Sequence, residues 1–195
     1  MGEPARKTDR RYTYRDYRSW PDDERWELID GVAWNMSPAP VRRHQGILTE
    51  ILTQLLPYLK GKPCKAYAAP FDVLLPERPD QAEDEVSTVV QPDISVVCDL
   101  SRLTDRGCTG APDLVVEILS PHTARKDMEV KRALYERHGV HEYWIDDPGN
   151  RCVQAYVLRE DGHYPEEPTL YLADADLPSV VLADLKLQLP PVFQE

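Results

Sequence analysis

The chain has 195 residues, 42% of them hydrophobic and 29% charged, with a formal net charge of −11. That length supports one sizeable core, and the composition is that of an ordinary globular protein. The acidic balance opposes non-specific attraction to a phosphate backbone, and no run approaches the ~18 apolar residues of a membrane helix.

Residues 1–11 are polar and expected to be flexible, ahead of one domain over 12–195. The opening stretch has no apolar region of a secretory signal, and Arg6 stands where myristoylation needs Ser or Thr. Residues 12–22 read as a short helix stopped near Pro21. RWELIDGVAWNM follows as a hairpin, with Asp30-Gly31 suited to a type I′ turn. Trp26 and Leu28 share one face of it, and Glu27 and Ile29 the other.

The clearest helix is SPAPVRRHQGILTEILTQLLPYLKG. Ile47, Leu48, Ile51, Leu52, Leu55 and Leu59 recur at helical spacing, and Gly61 is a fitting residue just past its end. His44 falls within that apolar stripe, in the first turn. CKAYAAPFDVLLP and VVQPDISVVCDL read as strands separated by an acidic loop, and APDLVVEILS as the next strand. A helix starting at Thr123 or Asp127 runs to His138 and stops at Gly139. EYWIDDP and RCVQAYVLRE are strands around the turn at residues 147–150, and VVLADLKLQLP gives one or two more. The pattern predicts an α+β layered fold, a mixed sheet with helices packed on it.

The four cysteines, Cys64, Cys98, Cys108 and Cys152, form no CxxC pair. With no signal region, they are expected as reduced thiols in a cytoplasmic protein. Cys108 with His138 and His141 fits no common zinc spacing.

Two carboxylates stand out because they interrupt apolar strands. Asp113, Val115, Glu117 and Leu119 point one way in APDLVVEILS, and Asp93 interrupts the preceding strand just after Pro92. A carboxylate among Val and Ile is costly unless paired or bound to a cation. Two of them on adjacent strands repel unless a metal ion or a lysine lies between, which is what a hard-cation site requires. The alternative is that both lie at strand ends and meet solvent. Lys131 sits on the apolar arc of its helix with Val130 and Leu134, where it either reaches the carboxylates or snorkels to the core edge. Lys126 falls on the opposite side of that helix. His44 is either a site residue or a core histidine bonded to backbone.

ELIDG (27–31), His44 at the start of the leucine-rich helix, QPDISVV, APDLVVEILSP, Lys131, Tyr135 and GVHEYWIDDP (139–148) together resemble the Uma-type putative restriction endonucleases of the PD-(D/E)XK nuclease superfamily. The likeness spans nearly the whole chain from about residue 12. It implies a restriction-endonuclease-like core, a mixed sheet with flanking helices, to which an N-terminal hairpin is added. It also implies Mg²⁺- or Mn²⁺-dependent hydrolysis of DNA phosphodiester bonds. Asp93 would be the Asp of the PD motif and Glu117 the second acid. Both would hold the metal, together with the Ile118 carbonyl. Leu119 stands where the superfamily lysine is expected, so that role passes to Lys131, with Lys126 as the spare. Glu27 and His44 match positions near the site. A homodimer suits a cut in two strands. Two alternatives stay open: a catalytically inactive nuclease-fold module, and a metal-dependent hydrolase of another substrate.

Overall fold

The computed structural model describes residues 6–7, 10–21, 24–36, 41–120 and 124–194. A two-residue strand, β1 (Arg6–Lys7), and a short helix, α1 (Tyr14–Tyr17), precede the hairpin of β2 (Trp26–Ile29) and β3 (Val32–Asn35). Asp30 and Gly31 both take left-handed backbone, with φ of 50° and 74°. That is the demand of a type I′ turn and the reason Asp-Gly closes this hairpin. The long helix α2 (Arg42–Leu59) follows. Ile47, Leu48, Ile51, Leu55 and Leu59 are its buried stripe, each contributing roughly 1.5–3 kcal/mol on burial. Gly61 supplies the left-handed residue after its end, with φ 82°.

The two apolar runs that read as single strands are each split. One gives β4 (Lys65–Ala68) and β5 (Asp72–Leu74), the other β6 (Val89–Val90) and β7 (Ile94–Val97). Pro70 and Pro92 lie at the breaks. A proline cannot donate to a ladder, so each run turns there and its halves join different sheets. β8 (Gly107–Thr109) comes next, then β9 (Leu114–Ile118). Residues Lys126–Lys131 form a π-helix that continues into α3 (Arg132–Arg137). Of the two expected starts for this helix, Thr123 lies outside the described residues. The remaining elements are β10 (Glu142–Asp147), β11 (Cys152–Val157), β12 (Thr169–Leu172), β13 (Asp176–Pro178), β14 (Lys186–Gln188) and α4 (Leu189–Val192).

The α+β expectation holds. One sheet runs β1-β3-β2-β6-β5-β8 and the other β12-β11-β10-β9-β7-β4, with β13 and β14 paired separately. Both large sheets are mixed: β9 lies parallel to β10, and β5 parallel to β8. The second sheet is apolar on both faces. Ile94, Val96, Val116 and Trp144 face α2 and the C-terminal elements. Val97, Val115, Tyr143 and Ile145 face α3 and the first sheet, which contributes Ile29, Val73 and Val90. The outer face of the first sheet packs Trp26, Leu28 and Val89 against the aromatic residues of the α1 region. Among the described residues, no helix is long and apolar enough to cross a membrane.

Cys64 and Cys98 are disulfide-bonded rather than reduced. The antiparallel pairing of Lys65 with Val97 brings the two flanking cysteines side by side, a neighbourhood that a sequence separation of 34 conceals. Cys108 and Cys152 are free and buried, and no cluster of His, Cys, Asp or Glu suited to a metal forms around Cys108 among the described residues.

Gly107 is fixed by close approach: a Cβ built there would lie 1.8 Å from the Asp72 carbonyl oxygen across the β5–β8 pair. Gly46, inside α2, has nothing within 4 Å of such a Cβ. Gly107→Ala is therefore expected to cost about 1–3 kcal/mol or more, and Gly46→Ala to add about 0.5–1 kcal/mol. Urea unfolding midpoints of the two variants check both signs.

Candidate active site

The sequence candidates converge where the two sheets meet the π-helix. Glu27, on β2, has no solvent exposure at all. Its Oε2 accepts from the Lys126 ammonium at 2.5 Å. Its Oε1 lies 2.8 Å from the Lys131 ammonium and accepts the Gln91 backbone N–H at 3.0 Å. Glu117, on β9, accepts from Lys131 at 2.7 Å and from the Tyr135 hydroxyl at 2.8 Å, both at Oε1. Lys131 thus links a carboxylate of one sheet to a carboxylate of the other. Asp127 lies 3.7 Å from the same ammonium, and its backbone carbonyl accepts the Tyr143 hydroxyl at 3.1 Å.

Lys126 is a correction to the sequence reading. In an α-helix, residues five apart are about 140° apart around the axis, which sets Lys126 opposite Lys131. Lys126–Lys131 is instead a π-helix, whose i→i+5 hydrogen bonds bring residues five apart onto one side. Both ammonium groups therefore reach Glu27.

Asp93 lies just before β7. Its Oδ2 accepts the Ile118 backbone N–H at 2.7 Å and sits 3.2 Å from His44 Nε2. His44 is thus bonded to a site carboxylate, and its Nδ1 is buried with no partner among the described residues. Asp113, at the other end of β9, accepts the Cys98 N–H at 2.7 Å. It belongs to the strand-end turn and not to this cluster. Three more residues complete the setting. Tyr135 orients Glu117, Asp127 flanks Lys131, and Gln91 ties Glu27 to Asp72 and Tyr17 through its side chain. Tyr135 carried a signal in its helical spacing from Lys131. Gln91 carried none, because its contact with Glu27 is made by backbone.

Among the described residues, the site holds more carboxylates than ammonium groups. Four carboxylates (Glu27, Asp93, Glu117, Asp127) face two ammonium groups (Lys126, Lys131). Burial opposes ionisation of Glu27, but Lys126 and Lys131 outweigh it and lower its pKa from 4.5 to about 2. Burial pushes Glu117 up from 4.5 to about 8; Lys131 opposes this, while Asp127, Asp93 and Glu27 reinforce it. Lys131, whose burial favours the neutral form, is held charged by Glu117, Glu27 and Asp127. A hard divalent cation fits this donor set. The donors are carboxylate oxygens, and the excess is two negative charges when all four are ionised. Among the described residues, Oε2 of Glu117 and Oδ1 of Asp93 have no hydrogen-bond donor.

The sequence profile of the Uma2 family, described as a putative restriction endonuclease, matches residues 14–190. The chain belongs to the Uma2 family. No curated protein sequence matches it. Among solved structures, it is similar to a putative nuclease belonging to DUF820 from Anabaena variabilis, with a TM-score of 0.71 at 21% identity over 93% of this chain and 97% of that one. At that identity the likeness speaks to the fold, which is restriction-endonuclease-like. Within this Uma2 chain, Asp93 lies just before β7, Glu117 on β9 and Lys131 in the π-helix, assembled as described above.

Two outcomes follow. Lys126→Met strands Oε2 of a fully buried Glu27 and is expected to cost about 3 kcal/mol, read from urea unfolding. The two glutamates also give opposite pH dependences. Glu27 supports the fold above pH 4.5, and that support is lost as pH falls toward about 2. Folded Glu117 keeps its proton between 4.5 and about 8, so its contribution to stability falls as pH rises across that window. In EDTA, the decline in unfolding free energy from pH 5 to 8 is expected to be shallower in Glu117→Gln than in the wild type.

Proposed function

We propose that this Uma2 protein is a divalent-metal-dependent endonuclease that hydrolyses DNA phosphodiester bonds. The observation that carries the reading is the buried ammonium of Lys131 held between Glu27 and Glu117, with a third carboxylate, Asp93, fixed by the backbone N–H of Ile118, the residue after Glu117. Buried, strongly coupled ionisable groups of this kind cluster at functional sites.

Asp93 and Glu117 would hold Mg²⁺ or Mn²⁺ through Oδ1 and Oε2, with the Ile118 carbonyl as a further ligand. Bound there, the metal would polarise the phosphate and lower the pKa of an attacking water. Lys131 offsets the charge that develops on the phosphoryl oxygens. Glu27 and Glu117 prevent it from swinging away, and Lys126 neutralises the second oxygen of Glu27. Tyr135 and Lys131 both occupy Oε1 of Glu117, so Oε2 is the oxygen that would hold the metal. The Ile118 N–H and His44 do the same for Asp93. A two-fold pair of chains would present two such centres to the two strands of a duplex.

A non-catalytic nuclease-fold module is the second reading. It is favoured by the pI of about 4.9 and by Leu119 at the superfamily lysine position. A plasmid-nicking assay with Mn²⁺ separates the two. The wild type is expected to nick, and Lys131→Met to lose about 10²–10³-fold, the scale of removing one positioned electrostatic donor. Lys131→Met is also expected to be destabilised, since it leaves two buried carboxylates short of a cation. Absence of nicking by the wild type on single- and double-stranded DNA would favour the module.

Metal affinity should depend on pH through Glu117. Its carboxyl must release a proton to bind a cation. Apparent Mg²⁺ affinity is expected to rise about tenfold per pH unit below 8 and to level off above it. Calorimetric titrations in buffers of different ionisation heat measure the released proton. A pH-independent affinity with no proton release would remove Glu117 from the metal site.

A further inference from the structure

The Cys64–Cys98 disulfide sits at one end of the β4–β7 ladder. Continuing the register of Lys65 with Val97 sets the two cysteines directly opposite each other, and β4 is the edge strand of its sheet. Both cysteines are half-buried. They form part of the wall of a cavity of about 460 Å³, whose lining is polar at Asp113 and His141 and apolar at Val157 and Val180. Cys108 and Cys152, by contrast, are buried. A disulfide that a thiolate can reach undergoes exchange, whereas sulfur shut inside a core is inert.

The same bond closes a ring that passes through the candidate active site. α2 runs from His44 in its first turn to Leu59, a length of about 22 Å at helical rise. Residues 60–64 lead from its end to the disulfide. β7 makes the return, with Cys98 just after it and Asp93 just before it, about 17 Å away in extended chain. His44 Nε2 and Asp93 Oδ2, 3.2 Å apart, close the ring at its other end. One closure is covalent and the other is a hydrogen bond, with a helix and a strand between them. Reduction leaves the β4–β7 residue pairs in place, so the sheet persists. It releases the connection that fixes α2 lengthwise against β7, and a helix that shifts as a rigid body carries His44 with it.

We propose that Cys64–Cys98 is a thiol–disulfide exchange site, reduced by a dithiol that enters this cavity, and that its redox state sets how firmly His44 holds Asp93. A thiolate of the dithiol attacks one cysteine sulfur and forms a mixed disulfide as the Cys64–Cys98 bond breaks. The second thiol of the reductant then displaces that cysteine. The dithiol leaves as its own disulfide, oxidised by two electrons, and its two protons end on Cys64 and Cys98. The exchange stands on the cavity and the strand register alone, whereas its effect on metal binding rests on the reading of Asp93 as a ligand.

The test treats the folded, oxidised chain with excess dithiothreitol, alkylates it with iodoacetamide without denaturant, and locates the label by mass spectrometry. Cys64 and Cys98 are expected to be unlabelled before the dithiol and labelled after it, with Cys108 and Cys152 protected throughout. The reduced chain is expected to keep a cooperative melt, lower by roughly 5–15 °C. Labelling of Cys64 and Cys98 only in denaturant, or loss of the cooperative melt on reduction, would overturn the exchange site and leave a purely structural disulfide. Mn²⁺ affinity is then read from the free-ion paramagnetic resonance signal after the dithiol is removed. It is expected to weaken severalfold on reduction, up to about tenfold, the lower end of losing an outer-shell partner. The Cys64→Ser/Cys98→Ser double variant is expected to bind at the weaker value with or without dithiol treatment. Equal affinity of the oxidised chain, the reduced chain and the double variant would overturn the coupling to His44. Absence of Mn²⁺ binding in every form would overturn the metal reading of Asp93, and the alkylation result would still decide the exchange site.

Discussion

The Lys131 ammonium is the contact on which the rest of the site depends. It meets Glu27 of one sheet at 2.8 Å and Glu117 of the other at 2.7 Å. Moving these ions out of water costs several kcal/mol each, and their mutual attraction repays that only when the geometry is complete. Completion here draws on every neighbouring element. The Gln91 N–H and Lys126 satisfy Glu27, and Tyr135 satisfies Glu117. An apolar core of the same volume would hold the sheets together as well or better. The network is therefore poorly explained by stability and well explained by a need to keep a cation and two carboxylates in fixed relation.

The π-helix follows from the same need. Lys126 and Lys131 must both point at Glu27, and regular α-helical spacing sends them to opposite sides. One turn of wider winding solves this without changing the sequence spacing. Such turns are rare and occur frequently at functional sites. In composition Lys126–Lys131 is an ordinary charged helix segment, and nothing in it announces the winding. Helical periodicity therefore placed Lys131 correctly and Lys126 wrongly. The same limit governs the rest of the fold. Alternation along APDLVVEILS and the type I′ turn at Asp30-Gly31 are local properties, and both were legible. The division of the two proline-broken runs between different sheets, the short strands β8, β12 and β13, and the Cys64–Cys98 pairing all depend on distant partners. For the site, Asp93, Glu117 and Lys131 could be picked out because each is a polar residue on an apolar face. Glu27 needed the family resemblance, and Gln91 contributes through a backbone N–H that no side-chain pattern reveals.

A net charge of −11 argues against a nucleic-acid substrate if charge is averaged over the surface. The relevant quantity is local. Several of the carboxylates lie in the site itself, where they are buried or half-buried and, among the described residues, outnumber the two lysines. Under the proposed function, a bound divalent cation would neutralise that region, and a phosphate diester would meet the metal and Lys131. An acidic chain can thus present a metal-dependent attraction to phosphate that vanishes with the metal. Affinity would then be set by the ion and not by a basic surface.

The N-terminal hairpin is more than an addition to the core, because it supplies Glu27. Without β2, Lys126 and Lys131 would share only Glu117 and Asp127. The Gln91 N–H, which now ends on Glu27 Oε1, would lose its acceptor. The hairpin is secured in turn by its pairing with β6 and by the aromatic cluster of the α1 region. Gln91 extends the connection, reaching Asp72 and the Tyr17 hydroxyl with its side-chain amide. The first sheet is therefore the structure that sets where the lysines point, and the second sheet is the structure that positions Glu117 and, just before β7, Asp93. Catalysis, under the proposed function, requires the two to remain in register, and Lys131 is bonded to both.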